Sequence, residues 1–69
     1  MPTFVSLREH RTDEIIFVNM DKVLMMARFE ADKCTHLTLI DNSVRQNITV
    51  HETPTEILEL IRLEREELY

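Results

Sequence analysis

The chain has 69 residues, with 13 acidic and 8 basic side chains, a formal net charge of −5, one cysteine and no glycine. This length predicts a single domain over residues 1–69, the lone cysteine excludes an internal disulfide, and the missing glycine excludes a Gly-rich phosphate loop. The acidic charge argues against nucleic-acid binding, and because the sequence has neither an apolar signal stretch nor a run of membrane-spanning length, we expect a cytoplasmic protein without membrane contact.

The first half of the chain predicts three strands separated by polar turns. Phe4–Arg8 is the first, and residues 15–18 form a β-branched and aromatic run that is typical of a strand. Val23–Phe29 is ambiguous, because its methionine and alanine content permits a helix. Its short length between two turns favours a strand, and we predict a strand there.

The clearest pattern is a hairpin over residues 35–51, where apolar and polar side chains alternate on both arms. A turn centred between Asn42 and Ser43 sets its register. That register places three pairs opposite one another: Leu39 with Gln46, Leu37 with Ile48 and Thr35 with Val50. It collects the apolar side chains on one face, whereas a slip of one residue would scatter them over both faces.

The last quarter of the chain predicts a helix over residues 54–67. Thr53 is suited to the N-cap, and the Glu56 carboxylate can accept the Thr53 amide in return, which closes a capping box. Pro54 falls at the first helical position, where it loses no hydrogen bond. We expect the helix to cover the apolar face of the sheet with side chains at amphipathic spacing: Ile57, Leu60 and Ile61.

These elements predict an α+β fold, in which an antiparallel sheet of four or five strands, all within residues 3–51, is closed by one C-terminal helix. In so short a chain the hydrophobic core is marginal, so stability requires tight packing or a partner subunit. The side chains expected in the core are Phe17, Val23, Leu37, Leu39, Ile48, Val50, Ile57, Leu60 and Ile61.

Two predicted strands carry apolar side chains on both faces, namely residues 15–18 and Val23–Phe29. Because one helix cannot cover both faces of a sheet, we expect a homo-oligomer, most simply a dimer, and allow for a further protein partner. The side chains predicted to form the interface are Ile16, Val18, Leu24 and Met26. The alternative is a sheet that curls into a small barrel and buries its own inner face.

One group of side chains suggests metal chemistry. The hairpin register places Cys34 opposite His51, with His36 two residues along on the same face, and both residue types bind zinc or copper. The group supplies three ligands and lacks a fourth, and histidines on an exposed strand face are usually solvated. We therefore expect no metal and no cofactor.

Catalytic chemistry has no evident motif in this chain. Asp13, Glu14 and Asp21 fall in polar turns, where acidic side chains have structural roles. No serine or cysteine stands in a nucleophile motif, and a domain of this size offers little concavity for a substrate. We expect a non-enzymatic interaction or regulatory module.

Several short motifs resemble a known family. Residues 16–23 read Ile-Phe-Val-Asn-x-Asp-x-Val, residues 37–39 read Leu-Thr-Leu, and residues 48–57 read Ile-Thr-Val-His-Glu-Thr-Pro-Thr-Glu-Ile. This pattern resembles that of FlbD-like, or flagellar-protein-like, small bacterial proteins, which usually carry Asn-Gly where Ser43 follows Asn42 here. The resemblance covers roughly the whole chain and implies an accessory or regulatory role through protein contacts, without catalytic residues.

A second, weaker likeness is to the latter half of the LytTR DNA-binding domain. That domain has a similar Val-Asn strand, a hairpin and a closing helix. The likeness implies a nucleic-acid-binding regulator as the alternative function. The acidic charge and the absence of a basic hairpin argue against this alternative.

Overall fold

The structure is a computed structural model and describes residues 2–66. In chain order its elements are β1 (Phe4–Arg8), β2 (Ile15–Asn19), a 3₁₀ turn (Met20–Lys22), β3 (Val23–Phe29), β4 (Cys34–Asp41), β5 (Val44–Val50) and α1 (Pro54–Glu66). The ambiguous segment Val23–Phe29 is thus a strand, as predicted. The helix begins at Pro54 as predicted, and its predicted end at residue 67 lies outside the described residues.

The strands form two antiparallel sheets, so the α+β prediction is confirmed but the single predicted sheet is wrong. One sheet is the β1–β2 hairpin, and the other has the order β3–β4–β5. The sheets meet at one corner, where the His51 amide donates to the Arg8 carbonyl and the His10 amide to the Thr49 carbonyl, each at 2.9 Å. In the described part of the chain they do not close into a barrel.

The predicted hairpin register is confirmed in all three pairs. Asp41 pairs with Val44, which leaves a two-residue loop at Asn42 (φ 49°) and Ser43 (φ 67°). Two positive φ angles match the right-handed twist of the flanking strands. Without glycine they fall on Asn42, which tolerates left-handed backbone comparatively well, and on Ser43, which disfavours it. Left-handed backbone also occurs at two other turn residues, Asp13 (φ 63°) and Lys33 (φ 52°).

The predicted capping box is present at the start of α1. The Glu56 amide donates to Thr53 Oγ1 at 3.1 Å, and the Thr53 amide donates to Glu56 Oε1 at 2.9 Å. The helix buries Ile57 completely and packs Leu60 and Ile61 against the core. Its apolar stripe is therefore placed as the amphipathic spacing predicts.

The core lies between the two sheets and α1. Its buried members are Val5, Leu7, Val18, Met20, Leu37, Val50 and Ile57. Three of these were predicted, and five further predicted residues are partly buried against them: Val23, Leu39, Ile48, Leu60 and Ile61.

The predicted faces of β2 are reversed. Phe17, predicted in the core, is 74% exposed, whereas Val18, predicted at an interface, is only 4% exposed. The partner strand decides this arrangement. Phe17 lies opposite Ser6, and Val18 lies opposite the buried Val5. Burying Phe17 would turn Ser6 inward without a partner for its hydroxyl, which is unfavourable.

Candidate functional site

The β1–β2 hairpin carries a cluster of exposed apolar side chains. Three large side chains project from its outer side: Phe4 is 48%, Ile15 is 54% and Phe17 is 74% exposed. We call this patch of Phe4, Ile15 and Phe17 the hairpin surface. Adjacent exposed apolar side chains of this kind make the hairpin a candidate interaction surface.

The free edge of β2 offers backbone hydrogen bonds beside the hairpin surface. At the hairpin ends, the Glu9 amide donates to the Glu14 carbonyl and the Met20 amide to the Thr3 carbonyl, each at 2.8 Å. Hydrogen-bonded and non-hydrogen-bonded pairs alternate along an antiparallel ladder. Counted from these ends, Phe17 and Ser6 form a non-hydrogen-bonded pair, so the N–H and C=O of Phe17 point away from β1. Among residues 2–66, β2 has no other strand neighbour. Phe17 therefore combines an exposed ring with backbone groups that are free to pair.

An apolar cleft of about 370 Å³ runs along the same edge. Ile16 and Val18 line it from β2, and Leu39 and Ile48 line it from the three-stranded sheet. Ile16, predicted at an interface, is partly buried against the core on this side. The cleft is the gap that remains where the two sheets separate, opposite the corner that joins them.

The electrostatic character of the outer hairpin face differs from that of the whole chain. Besides the hairpin surface, its outward positions hold Ser6, Arg8 and Asn19, so none of them carries a carboxylate. Arg8 is paired with Asp13, 3.7 Å away, so this face is close to neutral in a chain with a net charge of −5. It is thus the place where another acidic molecule can approach with little repulsion.

A second open edge lies on β3. Leu24, predicted at an interface, is 56% exposed there, whereas the predicted Met26 packs partly against the core. The pairing of β3 with β4 is interrupted between Val23 and Met25. Such a bulge increases local twist and obstructs regular pairing along an edge. The β2 edge is the more regular of the two.

The structure separates the three side chains considered for metal binding. Cys34 is buried, and the ring of His36 packs on Phe29 with centroids 4.3 Å apart. His51 instead places Nε2 at 3.2 Å from Asp13 Oδ1. Within the residues that the structure describes, no group of three or more histidine, cysteine or acidic side chains could hold a metal ion.

Two of the acidic turn residues, Asp13 and Asp21, take part in structural contacts, one through its carboxylate and the other through its backbone amide. Asp13 lies 3.7 Å from the Arg8 guanidinium, and Asn19 accepts the Asp21 amide at 3.0 Å. Sequence reasoning missed Glu9, whose carboxylate accepts the amides of Arg11 and Thr12 at 2.8 Å. Its pKa is lowered, chiefly by the Thr12 amide. A Glu followed by His-Arg-Thr-Asp in a loop carries only a weak signal for such a turn.

Comparisons with protein-family models, with curated proteins and with solved structures give no match to this chain. From Pro2 to Glu66, the structure contains no helix of the length and apolarity needed to cross a membrane.

Proposed function

We propose that the protein is a cytoplasmic, non-enzymatic interaction module that self-associates by pairing β2 with β2 of a second copy. The observation that carries this proposal is the exposed ring of Phe17 at the centre of an open strand edge. An accessory role through protein contacts is also what the resemblance to FlbD-like proteins implies.

The proposed pairing is antiparallel about a two-fold axis at Phe17. The Phe17 amide of each copy donates to the Phe17 carbonyl of the other, because these groups face the free edge. Ile15 then lies opposite Asn19 of the second copy. An arrangement of this kind is isologous, since each copy contributes the same surface and the contact closes on itself.

The charge distribution favours a second copy as the occupant. The outward hairpin positions hold no carboxylate of their own, and Arg8 is paired with Asp13, so two acidic chains meet at a nearly neutral strand face. A phenylalanine buries about 150–250 Å² at an interface, so two phenylalanines and one isoleucine fall short of the roughly 800 Å² per partner of standard complexes. We therefore expect a weak dimer with a Kd of about micromolar order.

The first prediction concerns Phe17→Lys. Because the side chain is exposed in the monomer, this change should leave the fold intact, whereas a lysine at the two-fold axis places two like charges together. Sedimentation equilibrium over a low to high micromolar series should show self-association of the wild type and a monomeric variant. Circular dichroism checks that the variant is folded.

Leu24→Lys is the matched control, because it adds the same charge at an exposed apolar position on the β3 edge. We expect this variant to associate like the wild type. A wild type that stays monomeric at high micromolar concentration would overturn the proposal. So would a dimer that is broken by the Leu24 substitution and not by the Phe17 substitution.

A further inference from the structure

The β1 strand has its own open edge, on the side opposite β2. At Arg8 the backbone groups on this edge still have hydrogen-bond partners. The Arg8 carbonyl accepts the His51 amide at 2.9 Å, and the Arg8 amide donates to Glu52 Oε1 at 3.0 Å. Since β5 ends at Val50, the Glu52 carboxylate takes the place that a carbonyl of the neighbouring strand would occupy. The backbone hydrogen bonds that join the two sheets end at this point.

Ser6 lies two residues before Arg8 and therefore directs its N–H and C=O to the same side. In the described chain, no strand pairs with β1 there; α1 faces this edge instead. Between them lies a groove of about 610 Å³. We call it the strand–helix groove, and its lining residues are Ser6, Glu52, Thr55, Glu56, Glu59 and Leu60.

The strand–helix groove combines an apolar wall with an acidic rim. Leu60 supplies apolar surface, and Glu52, Glu56 and Glu59 supply three carboxylates. The pKa of Glu56 is lowered by the Thr53 amide, and the pKa of Glu59 is lowered by its hydrogen bond with Arg62. Arg62 compensates the charge of Glu59, whereas Glu52 and Glu56 accept only the uncharged backbone amides of Arg8 and Thr53. The groove therefore keeps a net negative charge that attracts a basic group.

We propose that the strand–helix groove binds an extended segment of a different protein, in which lysine or arginine residues flank an apolar side chain. The segment adds as a strand to β1 at Ser6, where the open backbone groups fix an extended conformation. Its apolar side chain packs on Leu60, and its basic side chains face the three glutamates. A second copy of this acidic chain is the wrong occupant for this rim.

The test uses a short fluorescein-labelled peptide with a central leucine, alternating threonines and flanking lysines. Its counterpart carries glutamates in place of the lysines. Fluorescence anisotropy with the full chain should show binding of the lysine peptide alone. In NMR spectra of the ¹⁵N-labelled chain, the Ser6 amide should be among the most strongly shifted signals, because it gains a hydrogen bond. A peptide that binds without shifting Ser6, or that fails to bind, would overturn the proposal.

Glu59→Lys tests the acidic rim, and Glu66→Lys is its matched control. Both glutamates pair with Arg62 on the exposed side of α1, but only Glu59 lines the groove. We expect Glu59→Lys to weaken peptide binding about fivefold or more and Glu66→Lys to change it less than about twofold. Equal losses in both variants would mean unspecific attraction to an acidic chain and would refute the groove as the site.

Ser6→Pro tests the strand addition directly. The Ser6 amide does not pair with β2, so its removal should leave the β1–β2 ladder intact while it deletes one donor of the open edge. We expect a folded variant that has lost peptide binding. Retained binding in a folded Ser6→Pro chain would show that the peptide does not add to β1. If that variant does not fold, the wild-type Ser6 amide shift decides between the outcomes.

Discussion

At the scale of single residues, Thr35 shows how a buried polar group joins two parts of the fold. Its side chain is fully buried on β4, where Oγ1 donates to the Glu52 carbonyl at 2.5 Å. Oγ1 also accepts from Arg28 Nη1 at 3.3 Å, and the same nitrogen donates to the His51 carbonyl at 3.1 Å. The chain segment between β5 and α1 is thereby held against the three-stranded sheet.

Thr35→Val is predicted to destabilise the protein by about 1–3 kcal/mol, because it leaves the partly buried Glu52 carbonyl without its donor. The free energy of unfolding from urea titration measures the effect. Thr38→Val is the control, since Thr38 bonds Asn47 on the outer face of the same hairpin and should change stability by less than about 0.5 kcal/mol. Equal effects at the two positions would contradict the role assigned to Thr35.

At the scale of elements, the start of α1 couples helix stability to pH. The Glu56 carboxylate accepts the Thr53 amide, and this hydrogen bond lowers its pKa below the unfolded value of 4.5. A carboxyl group with a lowered folded-state pKa stabilises the fold fully above the unfolded value. That contribution is lost as the pH falls through the folded-state pKa.

Glu56→Gln should therefore flatten the acid limb of the stability curve, because glutamine keeps a capping oxygen but does not titrate in this range. Thermal unfolding followed by circular dichroism at neutral pH and in steps below 4.5 measures this difference. Glu64→Gln, a carboxylate outside the cap, serves as the comparison. An unchanged acid limb in Glu56→Gln would show that this carboxylate does not set the pH dependence.

The elements also show what the sequence could and could not predict. The β4–β5 register followed from strict alternation, and the helix start followed from the Thr53–Glu56 spacing. The faces of β2 could not be predicted, because Ile15 to Val18 are apolar at every position and only the pairing with Ser6 and Val5 distinguishes them. The open strand edges could not be predicted from the sequence either, because the direction in which a backbone N–H points depends on which strands pair.

At the scale of the whole molecule, the charge is unevenly distributed over the two candidate surfaces. The hairpin surface has no carboxylate among its outward neighbours, whereas the strand–helix groove has three in its lining. The local charge of an individual face therefore differs from what the net charge of −5 alone would suggest. The first surface suits a second copy of the chain, and the second suits a basic partner.

The same charge leads us to predict that the protein does not bind DNA, which separates it from the LytTR-like alternative. A gel-shift titration of duplex DNA at low salt should show free DNA at all protein concentrations, because a chain of net charge −5 gains little from counterion release. A complex that forms at low salt and dissociates steeply as salt is added would support the alternative instead.

The left-handed residues of the turns have a consequence for the denatured ensemble. Asp13, Lys33, Asn42 and Ser43 adopt positive φ in a sequence that contains no glycine. Each such residue costs about 1–2 kcal/mol of backbone strain, least for Asn and Asp. However, the unfolded state of a chain without glycine has fewer accessible backbone conformations, so the chain loses less conformational entropy when it folds. Part of this protein's free energy of unfolding thus comes from the restricted backbone freedom of its unfolded state.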